Sequence, residues 1–247
     1  MNSTLPLALT FLTKLPWPWR GPADEAALAR SMFWFPWVGA VLGLIFWGAW
    51  AGLQKILPAP AAASLLLALT VWVTGGLHLD GLADTADGLG GGHTPETALR
   101  IMKDSRVGAF GVISLILGLV LKFSLFLSLA TQTRGAGALL LFPVISRWSM
   151  VLLAYLSPYA RAEGGLGQAM TLGVSPRVLT GASLSAGGLA LLILGASGLL
   201  LFIAAGALVW LGSLYFQRRL GGITGDILGA ANEAVEILVL AGGLVFS

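Results

Sequence analysis

Cysteine and charged residues are the two classes that this chain has little of. None of its 247 residues is cysteine, which excludes a disulfide framework and thiolate metal sites. Asp, Glu, Lys and Arg together make up 10% of the residues, whereas soluble domains contain about 25%. This scarcity of charge argues against a soluble domain.

Apolar residues take the place of the missing charge. They account for 57% of the chain, and the mean hydropathy is +0.88, so we expect an all-α, polytopic integral membrane bundle. The 14 basic residues lie mainly in loops between apolar stretches, where they orient a membrane protein rather than bind nucleic acid. The start of the chain has no basic segment leading into an apolar run and a small-residue cleavage site, so we expect no removable signal peptide.

Seven stretches are long and apolar enough to cross a bilayer, which takes roughly 20 residues of helix. They are Met32–Leu53, Ala61–Leu79, Val107–Ala130, Gly135–Leu156, Val178–Gly195, Gly198–Phe216 and Ile227–Phe246. The 39 residues Val178–Phe216 carry no charge and are too long for one span. The GASG sequence at Gly195–Gly198 therefore predicts a tight turn between two spans. Totals of six or eight spans are the alternatives.

The basic residues predict the orientation in the membrane. With a cytoplasmic N-terminus, ten Lys and Arg residues fall on the inner side and two, Lys55 and Arg134, on the outer side. This asymmetry follows the positive-inside rule. The acidic residues fall on the same inner side, so we expect the polar chemistry at the cytoplasmic face.

Residues 1–30 differ from the rest of the chain. Their apolar run, Leu5–Leu15, is short, and PWPWRGP follows it. We expect an interfacial N-terminal segment with Trp17 and Trp19 at the level of the lipid headgroups. No repeat and no low-complexity linker divides the chain, so residues 1–247 are interpreted as a single domain.

Three aspartates follow the second apolar stretch. Asp80, Asp84 and Asp87 are spaced by four and three residues and fall within about 60° on one face of a helix. Their repulsion would destabilise a bare helix, and a divalent cation, which prefers carboxylate oxygens, removes that cost. We interpret the face as a metal site; a solvated acidic helix end is the alternative. Glycines that favour close approach of a ligand come next: Gly88, Gly90, Gly91 and Gly92.

A second acidic cluster lies near the end of the chain. Asp226 and Glu233, seven residues apart, share a helix face, and Glu236 lies about one turn further. Ionisable residues inside a membrane span are costly and indicate function. We expect these carboxylates to join the same metal site or to form another. A buried ion pair with Lys122 or Arg147 is the alternative.

Basic residues lie between the two acidic clusters. The segment Ile101–Gly111, IMKDSRVGAFG, predicts Lys103 and Arg106 on adjacent turns of a helix, and Arg147 lies inside the fourth span. Both residue types bind phosphate oxygens. With carboxylates and a divalent metal they fit phosphoryl transfer, in which catalysis is mostly positioning and charge neutralisation. Membrane anchoring is the alternative for Lys103 and Arg106.

His78 precedes the first aspartate by two residues. On a continuous helix its side chain points away from the aspartate face. It reaches that face only if Gly75–Gly76 distort the helix. We therefore leave two roles open for His78, a packing residue and a catalytic base.

Six segments in order carry a family resemblance. They are FLTKLPWP (Phe11–Pro18), FPWVGAVLG (Phe35–Gly43), GGLHLDGLADTADGLGGG, IMKDSRVGAFG, SR (Ser146–Arg147) and GDILGAANEAVE. Together they closely resemble the cobalamin synthase family, the adenosylcobinamide-GDP ribazoletransferases, over nearly the whole chain. Trp17 and Trp37 stand where aliphatic residues are expected, and neither departure touches a charged position.

The resemblance implies a Mg²⁺-dependent enzyme of the last step of cobalamin assembly in a bacterial or archaeal cytoplasmic (inner) membrane. Its substrates would be adenosylcobinamide-GDP and α-ribazole or α-ribazole 5′-phosphate, and GMP would be released. The implied metal ligands are Asp80, Asp84, Asp87, Asp226 and Glu233. The implied substrate-binding residues are Lys103, Arg106, Arg147, Gly88, Gly90, Gly91 and Glu236, with His78 as a further catalytic candidate. Besides the lipid bilayer, a second copy of the chain and other cobalamin-assembly enzymes are expected partners.

Two other functions are weighed against this one. A CDP-alcohol phosphotransferase also uses aspartates on two membrane helices, but such enzymes carry an arginine soon after the DG pair. Here Gly81 is followed by Leu-Ala-Asp, and no arginine occurs before Arg100. A cation-coupled transporter would place Glu233, Glu236 and Arg147 in its pathway, yet the aspartate face lies at one side of the membrane and no inverted repeat is present.

Overall fold

The computed structural model describes residues 4–16, 24–129, 135–161, 163–164 and 166–246, and regular structure among them is helical apart from one isolated bridge. The helices are α1 Thr4–Leu12, α2 Glu25–Ser31, α3 Phe35–Leu53, α4 Ala59–Thr74, α5 Leu77–Gly91, α6 Pro95–Ile101, α7 Ala109–Leu129, α8 Gly135–Leu156, α9 Leu166–Gly173, α10 Pro176–Leu220 and α11 Gly225–Val245. A single 3₁₀ turn, Met32–Trp34, connects α2 to α3. The predicted all-α class is confirmed.

The number of membrane spans depends on two breaks in the helices. Five helical segments are long and apolar enough to cross a membrane, or six if the bent pair α4 and α5 counts as one span. The 45-residue α10 is interrupted at Gly195, which has a positive φ of 60°. The two halves then lie side by side, since a Cβ on Gly198 would collide with the carbonyl of Ala190. Counting the halves of α10 separately gives the predicted seven spans, with the turn at the predicted glycine.

The centre of the bundle is α8, which packs against α3, α10 and α11. Phe142 of α8 stacks on Phe46 of α3 at a ring-centroid distance of 5.7 Å and lies 6.0 Å from Phe126 of α7. The backbones of α3 and α8 approach closely where a Cβ on Gly39 would collide with the carbonyl of Pro143. Lipid provides no hydrophobic drive for helix association, so membrane helices depend on close packing. Small residues such as glycine make this packing possible.

The described part of the N-terminal segment folds back onto α3. The indole of Trp34 donates a hydrogen bond to Thr4 Oγ1 at 3.1 Å, and Phe11 stacks on Phe35 at 6.2 Å. Trp17 and Trp19 lie outside the described residues. The interfacial location of this segment, the single-domain interpretation and the cytoplasmic N-terminus stay predictions.

A sharp bend separates α4 from α5. The two helices meet at 88° because Gly75 and Gly76 both adopt left-handed conformations, with φ of 65° and 72°. The stretch Ala61–Leu79, predicted as one span, is therefore broken into two helices at these glycines. The helix that carries the aspartates leaves the direction of α4 and packs against α7 and α11.

Substituting Gly39 tests the close approach of α3 and α8. Gly39→Ala is expected to lower the free energy of unfolding by about 1–3 kcal/mol, the usual cost of overpacking a well-packed interior. The matched control is Gly48→Ala in the same helix, because a Cβ there meets nothing within 4 Å. Thermal unfolding of the two variants in detergent measures the difference, and equal melting temperatures would contradict the assigned contact.

Candidate active site

Asp80, Asp84 and Asp87 lie on one helix, as predicted, but in different surroundings. Asp80 is exposed, Asp84 is half-buried and Asp87 is buried on α5. Asp87 accepts hydrogen bonds from the backbone N–H groups of Gly108, at 2.7 Å, and Gly111, at 2.8 Å. These amides lie at the start of α7, where a carboxylate is favoured by unpaired N–H groups. Asp87 thus ties α5 to α7.

The second acidic helix crosses α5 at two glycines. A Cβ on Gly81 would come within 2.6 Å of the Asp226 carbonyl, and one on Gly229 within 3.2 Å of the His78 Cα. The small residues let the two backbones approach, which brings the first turn of α11 alongside α5. Asp226 is thereby placed next to the aspartates, which is one of the two arrangements expected from the sequence.

Asp80, Asp84 and Asp226 form what we call the carboxylate cluster. Asp84 lies within electrostatic range of both other members and of Asp87 and Arg161. Asp226 accepts hydrogen bonds from Arg161, at 2.8 Å, and from Thr224, at 3.1 Å. Asp80 and Asp84 have no hydrogen bond or ion pair within the described ranges of the chain. The cluster is therefore rich in negative charge that a single arginine does not balance.

The carboxylate cluster fits a divalent cation that shares its ligands with a substrate. The described residues contain no group of three or more acidic or histidine side chains placed to enclose a metal ion by themselves. Mg²⁺, however, usually binds one or two carboxylates and completes its shell with water and phosphate oxygens. Two unpaired carboxylates beside a third one match that requirement.

Arg161 is a residue of this site that the sequence did not single out. Its signal was weak, since it counted only among the basic residues used for orientation. The bridge between Tyr159 and Ile223 holds the segment before it against the start of α11, with the Ala160 N–H donating to the Ile223 carbonyl at 2.9 Å. This pairing joins two distant loops, which local sequence does not reveal.

Glu233 and Glu236 belong to a different group, deeper in the bundle. Lys122 Nζ lies 2.5 Å from a carboxylate oxygen of each glutamate, and Arg147 pairs with Glu236. All four side chains are buried. We call them the buried ionic cluster; it matches the buried ion pair weighed as the alternative for this region. Glu233 already forms an ion pair with Lys122, so Glu233 could bind a metal ion only if this ion pair broke.

His78 faces the buried ionic cluster. It is 2% exposed and lines a cavity of about 10 Å³ together with Lys122, Arg147 and both glutamates, which is room for about one water molecule. Its Nε2 has no hydrogen-bond partner within the described ranges. The expectation that His78 points away from the aspartates holds even though Gly75–Gly76 bend the chain, because the bend precedes α5.

Lys103 and Arg106 lie in a loop, so the prediction of a helix there is wrong. The helix α6 ends at Ile101, and the Asp104 carboxylate accepts from the Arg106 backbone N–H at 3.1 Å and from its guanidinium at 2.6 Å. Such local bonds compete with helix formation. The guanidinium of Arg106 lowers the pKa of Asp104 to about 2. Lys103 makes an exposed ion pair with Glu163.

The glycines that follow the aspartates serve packing in this structure. A Cβ on Gly88 would collide with Met102, and one on Gly90 with Phe110. A Cβ on Gly91 would lie 3.2 Å from Ile101. They seat α5 against α6 and the start of α7, which holds the loop with Lys103 and Arg106 near the end of α5.

Breaking the buried ionic cluster tests its structural role. Lys122→Met is expected to destabilise the protein by about 3–5 kcal/mol, because Glu233 loses its only ion-pair partner among the described residues. Adding Glu233→Gln removes the stranded charge and leaves the pair of Arg147 with Glu236. The double variant should therefore recover much of the stability in detergent. A single variant that unfolds like wild type would contradict this role.

Comparison with known proteins gives a consistent match along the chain. The model of a family described as cobalamin-5-phosphate synthase matches residues 4–244. A protein of Syntrophobacter fumaroxidans named adenosylcobinamide-GDP ribazoletransferase is 44% identical over 95% of each chain. Proteins of the same name from Desulfitobacterium hafniense and Pseudomonas putida are 41% identical, over 96% of this chain and 94% of theirs, and 44% identical over 96% of each.

No solved structure matches this chain. The family match covers both acidic helices, the loop with Lys103 and Arg106, and the helices of the buried ionic cluster. The chain therefore belongs to the cobalamin-5-phosphate synthase family.

Proposed function

We propose that the protein is an adenosylcobinamide-GDP ribazoletransferase that catalyses the last step of cobalamin assembly. It joins adenosylcobinamide-GDP to α-ribazole, or to α-ribazole 5′-phosphate, and releases GMP. The family match and the shared name of the relatives support this function. The observation that carries it is the carboxylate cluster at the crossing of α5 and α11, where negative charge is left unpaired.

The reaction is a displacement at phosphorus. A hydroxyl oxygen of the ribazole attacks the phosphorus that bears the aminopropanol arm of the corrinoid. A phosphorus–oxygen bond forms as the bond to the bridging pyrophosphate oxygen breaks, and GMP leaves with that oxygen. The hydroxyl proton passes to a carboxylate. The burial of His78 away from the cluster supports a carboxylate, Asp80, as this base.

Mg²⁺, when bound, supplies positive charge that neutralises the pyrophosphate oxygens. Asp84 would hold it, since this carboxylate has no hydrogen bond or ion pair within the described ranges. Asp226 contributes from α11 while its bond to Arg161 fixes its orientation. Asp87 acts differently, because its oxygens are occupied by the amides at the start of α7 and it positions the helix that carries the ligands.

Three basic side chains are available to bind the phosphate groups of the substrate. Arg161 lies at the carboxylate cluster itself. Lys103 and Arg106 are exposed in the loop after α6, and their ion pairs with Glu163 and Asp104 are solvent-accessible. Exposed pairs of this kind contribute little to stability, so a substrate phosphate displaces the carboxylate at small cost.

The site operates at the cytoplasmic face of the inner membrane. The excess of basic residues on the predicted inner side supports this orientation. A phosphotransferase acting on CDP-alcohols and a cation-coupled transporter are not favoured, because the family match and the relatives' names concern cobalamin assembly.

Purified protein tests the proposal directly. In detergent or liposomes with adenosylcobinamide-GDP, α-ribazole and Mg²⁺, we expect GMP and the joined corrinoid to appear in equal amounts by chromatography. Chelation with EDTA should stop the reaction, and added Mg²⁺ should restore it. The absence of product at any Mg²⁺ concentration would sink the assignment.

Asp84→Asn tests the carboxylate cluster. The change keeps the size of the side chain and removes the charge that holds the metal, so turnover is expected to fall by about 10³-fold or more, as when electrostatic stabilisation is lost. The matched control is Glu96→Gln, an exposed carboxylate in the first turn of the neighbouring α6, which should keep wild-type activity. Both variants should elute as wild type from a sizing column. Full activity of Asp84→Asn would remove this residue from the mechanism.

A further inference from the structure

A groove lies beside the carboxylate cluster, and none of the roles assigned above uses it. It has a volume of about 510 Å³ and runs between the end of α1, the bend from α4 to α5, and the face of α7. Its walls are mostly apolar and include Phe11, Leu115 and Leu119. Asp80 forms part of the wall, so a molecule in this groove lies next to the cluster.

Most polar groups that line the groove are already satisfied within the protein. The hydroxyls of Thr13 and Thr74 donate to carbonyls of their own helices at 2.7 and 2.9 Å. The backbone N–H groups of Gly75 and Gly76 donate to carbonyls near the end of α4 at 3.2 and 3.0 Å. These groups have little capacity left for a ligand.

Lys14 and Asp80 are the exceptions, and Lys14 is the basic one among the described residues that line the groove. Its ammonium makes no hydrogen bond or ion pair within the described residues, and its side chain is exposed at the groove. The backbone N–H of Lys14 donates to the Val73 carbonyl at 2.7 Å, and its aliphatic stem lies so close to Gly75 that a Cβ there would collide with it. The stem thus packs on Gly75, while the ammonium stays accessible from the groove.

We propose that this groove binds the α-ribazole substrate and that Lys14 recognises its 5′-phosphate. This inference rests on the proposed function. The apolar walls suit a planar benzimidazole base, the volume suits a drug-sized ligand, and the lysine supplies a point charge for phosphate. Adenosylcobinamide-GDP, with its corrin ring and side arms, is larger than the groove. A ribazole bound here has its ribose beside Asp80, where the attacking hydroxyl must lie.

Removing the charge of Lys14 is expected to affect the KM of only one of the two forms of this substrate. Lys14→Met keeps the aliphatic stem over Gly75 and removes the ammonium. We expect the KM for α-ribazole 5′-phosphate to rise about tenfold or more, the size of a lost charge-assisted contact, with the KM for α-ribazole within about twofold of wild type. Lys14→Arg should restore most of the affinity. Lys55→Met, in the turn that follows α3, is the matched control and should change neither value.

Filling the groove provides an independent measurement. Leu119→Trp is expected to raise the KM for both forms of ribazole and to leave the KM for adenosylcobinamide-GDP unchanged. An equal loss for both forms in Lys14→Met would overturn the assignment of the phosphate to Lys14. A raised KM for adenosylcobinamide-GDP in either variant would assign the groove to the other substrate. Failure of the proposed function is distinct, because wild-type protein would then form no product from either form of ribazole.

Discussion

Buried charge in an apolar bundle must be neutralised, and this requirement determines how the central helices are arranged. Lys122 of α7, Arg147 of α8 and two glutamates of α11 form a group with no net charge. A glutamate left alone at this depth would cost several kcal/mol, so α11 is held in one rotation and one depth relative to α7 and α8. The same rotation turns the N-terminal turns of α11 toward α5. The buried ionic cluster thus positions Asp226 without contacting it.

Close approach of backbones does the rest of the positioning. Gly81 and Gly229 allow α5 and α11 to approach closely, and the bend at Gly75–Gly76 turns α5 by 88° away from α4. Asp87 then fixes the other side of α5 to the start of α7. Two aspartates on α5, Asp80 and Asp84, are left without partners among the described residues. The helix is constrained by its glycines and by Asp87, which frees Asp80 and Asp84 to bind a ligand.

The sequence predicted much of this arrangement where the signal was local. The turn at Gly195 followed from the length of an uncharged segment, and the common face of the aspartates followed from their spacing on a helix. Local signals failed where a distant or competing partner decides the structure. Asp104 ends α6 early by binding Arg106, and Arg161 reaches Asp226 through a pairing between two loops. For Glu233 both a metal ligand and an ion pair were open, because spacing does not say that Lys122 lies opposite.

The carboxylate cluster and the buried ionic cluster both contain carboxylates, but these carboxylates have different roles. Their environments explain the difference. At Glu233 and Glu236 every charge has a partner inside the described bundle, and the adjoining cavity holds about one water molecule, so there is neither space nor unbalanced charge for a substrate. At Asp80 and Asp84 negative charge exceeds the nearby positive charge, and the site opens on a groove of about 510 Å³. A bound cation with its phosphate ligand therefore lowers the electrostatic energy at the carboxylate cluster. The same ligand would raise the electrostatic energy at the buried ionic cluster. The proposed chemistry therefore belongs at the crossing of α5 and α11, and the inner glutamates serve it by holding that crossing in position.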